Sequence, residues 1–276
     1  MSNNVMVFVG DQIHIDAVKS SIHQARTTGD WKDDIVVILP EGTKHDLKEE
    51  VFYSDLTVVD NKFHKLTIFN EYFKKWDWIF FCDLDTIILD KINLNLENRD
   101  ERKLYANPDG RKDLDYQFMI PVKEINDLLT YTQNGWQRLA NHIGDKTPLK
   151  GNASAFQTCM FLFHSSTINW KRTKEFYCWL NPFTATRNGG TLADQGIINL
   201  MYLLNHEILG SQFVNRCQVV ADNFYELELL KKGVTDTANY EAGQILHFGW
   251  VFAPWHEWNL RWHPIWCEHL SKYKDL

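Results

Sequence analysis

The chain has 276 residues, 44% hydrophobic and 24% charged, with a formal net charge of −7. This is the balance of an ordinary globular protein with ample core, and it excludes the uniform basic field of a nucleic-acid binder while leaving room for a local pocket that takes an anion. The 5 cysteines (Cys82, Cys159, Cys178, Cys217 and Cys267) are odd in number and lack C-x-x-C spacing, which excludes an obvious disulfide framework or zinc site.

No linker of Pro, Gly or Ser divides the chain, so a single domain over residues 1–276 is expected. Met1 to Asn4 run directly into the short apolar segment Val5–Val9, too short for a signal sequence, and no stretch reaches membrane-spanning length. Reduced thiols and the lack of an anchor together predict a cytoplasmic protein.

Val5–Val9 reads as a buried strand and Gly10-Asp11-Gln12 as the loop leaving it. Ile15, Val18, Ile22 and Ala25 recur at helical spacing up to Gly29, and Ile35–Leu39 is a second strand stopped by Pro40. Strand, helix and strand with short joints form a βαβ unit, hence an α/β fold with a mainly parallel sheet. Ligands of such sheets sit at the carboxyl ends of the strands, which makes Val9, Gly10 and Asp11 candidate nucleotide contacts; an ordinary turn is the alternative.

Leu56–Val59 is expected as a third strand, followed by a helix with Leu66, Phe69, Phe73 and Trp76 on one face and Lys65 at its start. That helix leads into Trp78-Ile-Phe-Phe-Cys82, an apolar run that ends in Asp83-Leu84-Asp85-Thr86. Residues i and i+2 of an extended chain point the same way, so both carboxylates can reach one point beyond the strand. There they repel unless a divalent cation, a shared proton or a basic group lies between them; Mn2+ or Mg2+ fits oxygen ligands and tolerates a diphosphate as co-ligand. The plainer alternative is that Asp83 ends the strand and Asp85 caps a turn.

Leu104–Ala106 is expected as a strand that breaks into a turn at Asn107-Pro-Asp109-Gly, and Val122–Ile143 as an amphipathic helix. Phe156-Gln157-Thr-Cys-Met-Phe-Leu-Phe163 reads as a further buried strand, and Gly189 to Leu200 as a glycine-bearing loop opening a helix, with Asp194 near its start as a possible cap. His247 closes a short apolar run as a candidate metal ligand or a packed histidine. Trp255, Trp258, Trp262 and Trp266 follow at steps of three, four and four, and Pro264 divides them into two expected helical segments. Core packing, stacking on sugar rings, and peripheral contact with a membrane through this tail with Arg261, His263 and Lys272 are the three readings of that stripe.

Taken in order, these pieces resemble the metal-dependent glycosyltransferases of the GT-A fold, above all family 8, the glycogenin and bacterial lipopolysaccharide galactosyltransferase group. Lys65-Leu66 stands where that family has Lys-Leu, Phe81-Cys-Asp-Leu-Asp-Thr86 resembles its F-x-D-A-D-T, and Phe156-Gln-Thr-Cys159 its F-N-S-G. Asp194-Gln-Gly-Ile-Ile-Asn199 is similar to D-Q-G-x-L-N, and His247-Phe248 with Pro254-Trp255 to the closing H-F-x-G-x-x-K-P-W. The resemblance implies a Rossmann-like, mixed but mainly parallel central sheet flanked by helices, with residues 1–110 binding the nucleotide and 111–276 the sugar and acceptor.

It further implies Mn2+ (or Mg2+) on Asp83, Asp85 and His247, a UDP-sugar donor and a glycan acceptor. Val9, Gly10, Asp11, Lys65 and Leu84 would line the nucleotide, while Asp109, Gln157, Asp194 and Gln195 would surround the sugar, with Asp194 and Gln195 as the catalytic candidates. Three departures stand out: Ala253 replaces the family's phosphate-binding lysine, with Arg261 as a possible substitute, Gly249 lies one position early, and Gln157 replaces an Asn. Two rivals share the acid motif or the tryptophans. One is a phosphatase of the haloacid dehalogenase type using Asp83 and Asp85, and the other a glycan-binding protein of the same fold without turnover.

Overall fold

A computed structural model describes residues 3–58, 61–113, 154–184, 193–203, 209–211, 217–219, 245–248, 253–257, 259–260 and 262–276. The chain divides into two compact units, Met1–Asp55 with Ile79–Arg99 and Phe213–Leu276, and Leu56–Trp78 with Asp100–Gln212. The fold is α/β, a mixed and mainly parallel sheet with flanking helices.

In the first unit β1 (Asn4–Val9), β2 (Asp34–Pro40) and β3 (Glu50–Ser54) run parallel, and β4 (Trp78–Cys82) lies on the other side of β1. Val5–Phe8, Val36–Leu39 and all of β4 are buried, as continuous apolar runs must be when both faces of a parallel sheet are covered. β3 forms on Glu50–Ser54, while residues 56–58 of the expected strand form none, because register with Val36–Pro40 selects the pairing segment over the stretch with the higher local propensity. A smaller sheet joins β5 (Thr86–Ile88), β9 (Cys217–Val219) and β10 (Ile245–His247), with β10 antiparallel to β5 and parallel to β9.

Helix α1 (Ile15–Arg26) buries the expected apolar stripe and also Ser20, Ser21, His23 and Gln24. Ser20, His23 and Gln24 are bonded where they are covered. Gln24 Oε1 accepts the Ile88 amide at 2.9 Å, and Ser20 Oγ donates to the Trp266 carbonyl at 3.1 Å. Gly29 ends the helix where a Cβ would lie 2.8 Å from the Ala25 carbonyl oxygen, so only glycine closes this turn without a shift.

The second unit pairs β6 (Leu104–Asp113) with β7 (Ser154–His164) antiparallel and with β8 (Leu209–Ser211) parallel. β6 runs through Asn107-Pro-Asp109-Gly instead of turning there, and accommodates the proline by register shifts on both sides of Pro108. Two 3₁₀ segments, Asn61–Phe69 and Glu71–Lys75, stand where one α-helix was expected; they are broken at Asn70, whose side chain accepts from the Tyr72 amide. Leu66, Phe69, Phe73 and Trp76 are nonetheless all buried. Phe69 packs on Phe161, Phe163 and Tyr202 with centroids 5.0–6.2 Å apart, each such ring contributing about 1.5–3 kcal/mol of burial.

Helices α2 (Trp170–Thr184) and α3 (Ala193–Leu203) complete this unit, and α4 (His263–Lys272) ends the first. Pro264 sits in the first turn of α4, where its missing N–H costs nothing, so among the described residues the tail carries one α-helix with turns ahead of it. Trp262 and Trp266 are 3% and 8% exposed and therefore core, whereas Trp258, Arg261 and the expected helix 122–143 lie outside the described residues.

Candidate functional site

β4 delivers the chain to Asp83 from a fully buried Cys82, and the acid pair then sits in a bend before β5 starts at Thr86. Thr86 Oγ1 donates to the Asp83 carbonyl at 2.8 Å and clamps the bend shut, with Cys82 Sγ packed 3.5 Å from the same hydroxyl. The carboxylates converge because the chain bends, not through the alternation of an extended strand. Asp85 is 9% exposed, so its charge is partly withdrawn from water.

Antiparallel pairing of β10 with β5 sets His247 opposite Thr86, and the Phe248 amide donates to the Asp85 carbonyl at 2.9 Å. This register carries the imidazole to the acid pair. His247 Nε2 lies 3.2 Å from Asp85 Oδ1, and single ligand atoms of Asp83, Asp85 and His247 all fall within 4.8 Å of one another. Two carboxylate oxygens and one imidazole nitrogen at that spacing fit a divalent cation such as Mn2+, which draws on both donor types. Phe248 is wholly buried against Trp262, edge to face with centroids 5.8 Å apart, so the tail tryptophan fixes the strand end that presents the histidine.

The loop after β1 belongs to the same unit and touches the acid motif. Gly10 donates its amide to the Ile38 carbonyl at 3.0 Å; a Cβ there would stand 2.7 Å from Val18 Cγ2 and 3.7 Å from Leu84 Cδ1. Glycine is thus demanded by packing between α1 and the leucine that separates the two acids. Val9 is half-buried at the end of β1. Asp11 accepts from the Ile13 amide at 3.0 Å and meets His14 Nδ1 at 2.6 Å, while the His14 ring lies 5.9 Å from that of Trp255. His14 carries no signal in the sequence beyond following the loop.

In the second unit Lys65 and Asp194 form a buried ion pair, Nζ to Oδ2 2.9 Å, and Lys65 also donates to the Thr158 carbonyl at 3.2 Å. Asp194 is the second residue of α3, where a carboxylate also suits the helix dipole, and it does not occupy the cap position. Gln195 Oε1 accepts the Thr158 amide at 3.3 Å. Asn199 is fully buried: its Oδ1 accepts from the Phe156 amide at 2.8 Å, and its Nδ2 donates to the carbonyls of Phe156 at 2.7 Å and Gln195 at 2.9 Å. Asn199 therefore fastens the acid-bearing end of α3 to β7, a role that its place in a motif does not disclose. Gln157 is half-buried on β7, its Oε1 3.6 Å from Cys159 Sγ, and Asp109 lies within β6. Ala253, where the resemblance calls for a lysine, is completely buried and offers no cation to a phosphate.

A parallel-stranded α/β fold with an Asp-x-Asp bend closed by a histidine on an antiparallel strand is the GT-A glycosyltransferase fold. Among solved structures the chain is similar to galactosyltransferase LgtC in complex with donor and acceptor sugar analogs, with TM-score 0.57 and 13% identity over 97% of this chain and 95% of that one. It is also similar to glycosyltransferase GlyE of Streptococcus pneumoniae TIGR4 (TM-score 0.55, 13% identity, 99% of this chain and 64% of that one) and to the bifunctional glycosyltransferase WbbM (TM-score 0.55, 12% identity, 98% of this chain). The chain spans about half the length of WbbM, 50%. No protein-family model and no curated protein matches it. Among the described residues no helix is long and apolar enough to cross a membrane.

Proposed function

We propose that the chain is a divalent-cation-dependent glycosyltransferase that moves a sugar from a UDP-sugar to a hydroxyl of a glycan or glycoconjugate. The observation that carries this reading is the convergence of Asp83, Asp85 and His247 at one point of a GT-A fold. A cation held there would neutralise the charge that develops on the diphosphate as the glycosidic bond breaks. Asp83 and Asp85 supply anionic oxygens and His247 a nitrogen, and Thr86 keeps the bend from opening. Val9, Gly10, Asp11 and Leu84 are the proposed nucleotide contacts, a reading that the close approach of Gly10 to Leu84 supports. Asp194 is the carboxylate proposed to act on the transferred sugar, with Lys65 fixing its position and Gln195 beside it in sequence; Gln157 and Asp109 complete the proposed sugar contacts.

Fully buried Ala253 in place of a lysine favours one second reading, a glycan-binding protein that has lost turnover. The phosphatase reading gives His247 no role. Calorimetric titration with UDP in Mn2+ and in EDTA, on the unaltered chain and on Asp85→Asn, tests the proposal. Binding that requires Mn2+ and is lost in the variant is the expected result, followed by release of sugar from one of a panel of UDP-sugars. Binding of UDP with no release across the panel supports the binding protein instead, and failure of UDP and of other nucleoside diphosphates to bind under any condition refutes the transferase reading.

A further inference from the structure

Helix α4 carries a cysteine and a histidine one turn apart that no step of the proposed reaction uses. Cys267 Sγ lies 3.3 Å from His263 Nε2, and both side chains are part exposed. His263 Nδ1 lies 3.2 Å from the Pro254 carbonyl oxygen. A carbonyl can only accept, so the proton of the neutral ring is on Nδ1 and the lone pair on Nε2 faces the thiol. The Trp266 ring lies nearly parallel to the imidazole, centroids 6.0 Å apart and planes at 19°. A thiol, a base aimed at its proton and a carbonyl orienting that base are the parts of an activated nucleophile. By contrast Cys82 and Cys159 are buried, and Cys178 is exposed.

We propose that Cys267, with His263 as its base, is a reactive thiol that low-molecular-weight disulfides modify. Nε2 takes the thiol proton as Sγ attacks one sulfur of the disulfide; a Cys267 mixed disulfide forms, the original sulfur–sulfur bond breaks, and the departing thiolate recovers the proton from the imidazolium. No other oxidant is needed. The pairing is built into the helix, since residues four apart share a face, and it does not depend on the transferase reading.

The test is a quenched time course of the folded chain with limiting iodoacetamide, with each cysteine followed by mass spectrometry of its peptide, beside incubation with oxidised glutathione. Cys267 should alkylate at least about tenfold faster than Cys178 although Cys178 is the more exposed, and His263→Gln should remove most of that advantage without changing Cys178. Oxidised glutathione should add one glutathionyl group at Cys267. Equal or slower alkylation of Cys267, an unchanged rate in His263→Gln, or absence of the glutathionyl adduct overturns the proposal. Should the variant fail to fold by circular dichroism, the ratio of Cys267 to Cys178 in the unaltered chain decides.

Discussion

Lowering the pH should loosen the docking of the last helix on the first through one pair of rings. His23 on α1 and His269 on α4 face each other with Nδ1 atoms 2.8 Å apart, so one ring donates and the other accepts, and the pair has no place for a second proton. The charged groups around them are Glu268 and Lys272 on α4 and Asp275 beyond it. Burial holds His269 down to about 4 from its ordinary 6.5, aided by the neighbouring His23, and His23 itself is lowered by burial and by Lys272. Between those two values the unfolded chain binds a proton that the folded chain refuses, so this stability is present above pH 6.5 and is lost as pH falls towards 4.

Full expression of that displacement is worth about 3 kcal/mol at pH 4; the part-exposed ring is screened by solvent, which leaves about 1–2 kcal/mol. Urea unfolding at a series of pH values, for the unaltered chain and for His269→Gln, reads it directly. Glutamine can still donate to His23 but does not titrate. The unaltered chain should lose about 1–2 kcal/mol more than the variant between pH 7 and pH 4. Parallel curves, or an imidazole resonance of His269 titrating at 6.5, would refute the reasoning.

Gly10→Ala should destabilise the first unit by about 1–3 kcal/mol, because its Cβ enters to 2.7 Å from Val18 Cγ2. Adding Val18→Ala should restore part of that loss, and a double mutant that is merely additive in urea midpoints would show that the clash is not the cause. Asn199→Asp turns two donated bonds into repulsion between a buried carboxylate and the carbonyls of Phe156 and Gln195. The expected cost is about 2–5 kcal/mol by denaturant unfolding. A loss under about 0.5 kcal/mol would remove Asn199 from its place as the fastener of α3.

The buried strand segments Val5–Phe8, Ile35–Leu39, Trp78–Cys82 and Cys159–Phe163 were legible from the sequence because a strand covered on both faces needs an unbroken apolar run, and local composition displays that need. The helix over 15–25 was legible from apolar residues at steps of three and four, and the two carboxylates beyond β4 from standing where an apolar run ends. Spacings of three and four at Leu66, Phe69, Phe73 and Trp76 suit an α-helix and 3₁₀ turns alike over so short a span, so hydrogen bonding around Asn70 made the choice. Residue chemistry alone thus determined the buried strands, the first helix and which side chains could hold a cation. Which of them meet was left to pairing between distant segments: β10 with β5, which sets His247 against Asp85, and α3 with the Lys65 segment, which pairs Asp194 with a lysine. Such contacts depend on register and on the closure of long loops, and neither leaves a periodic mark in the chain.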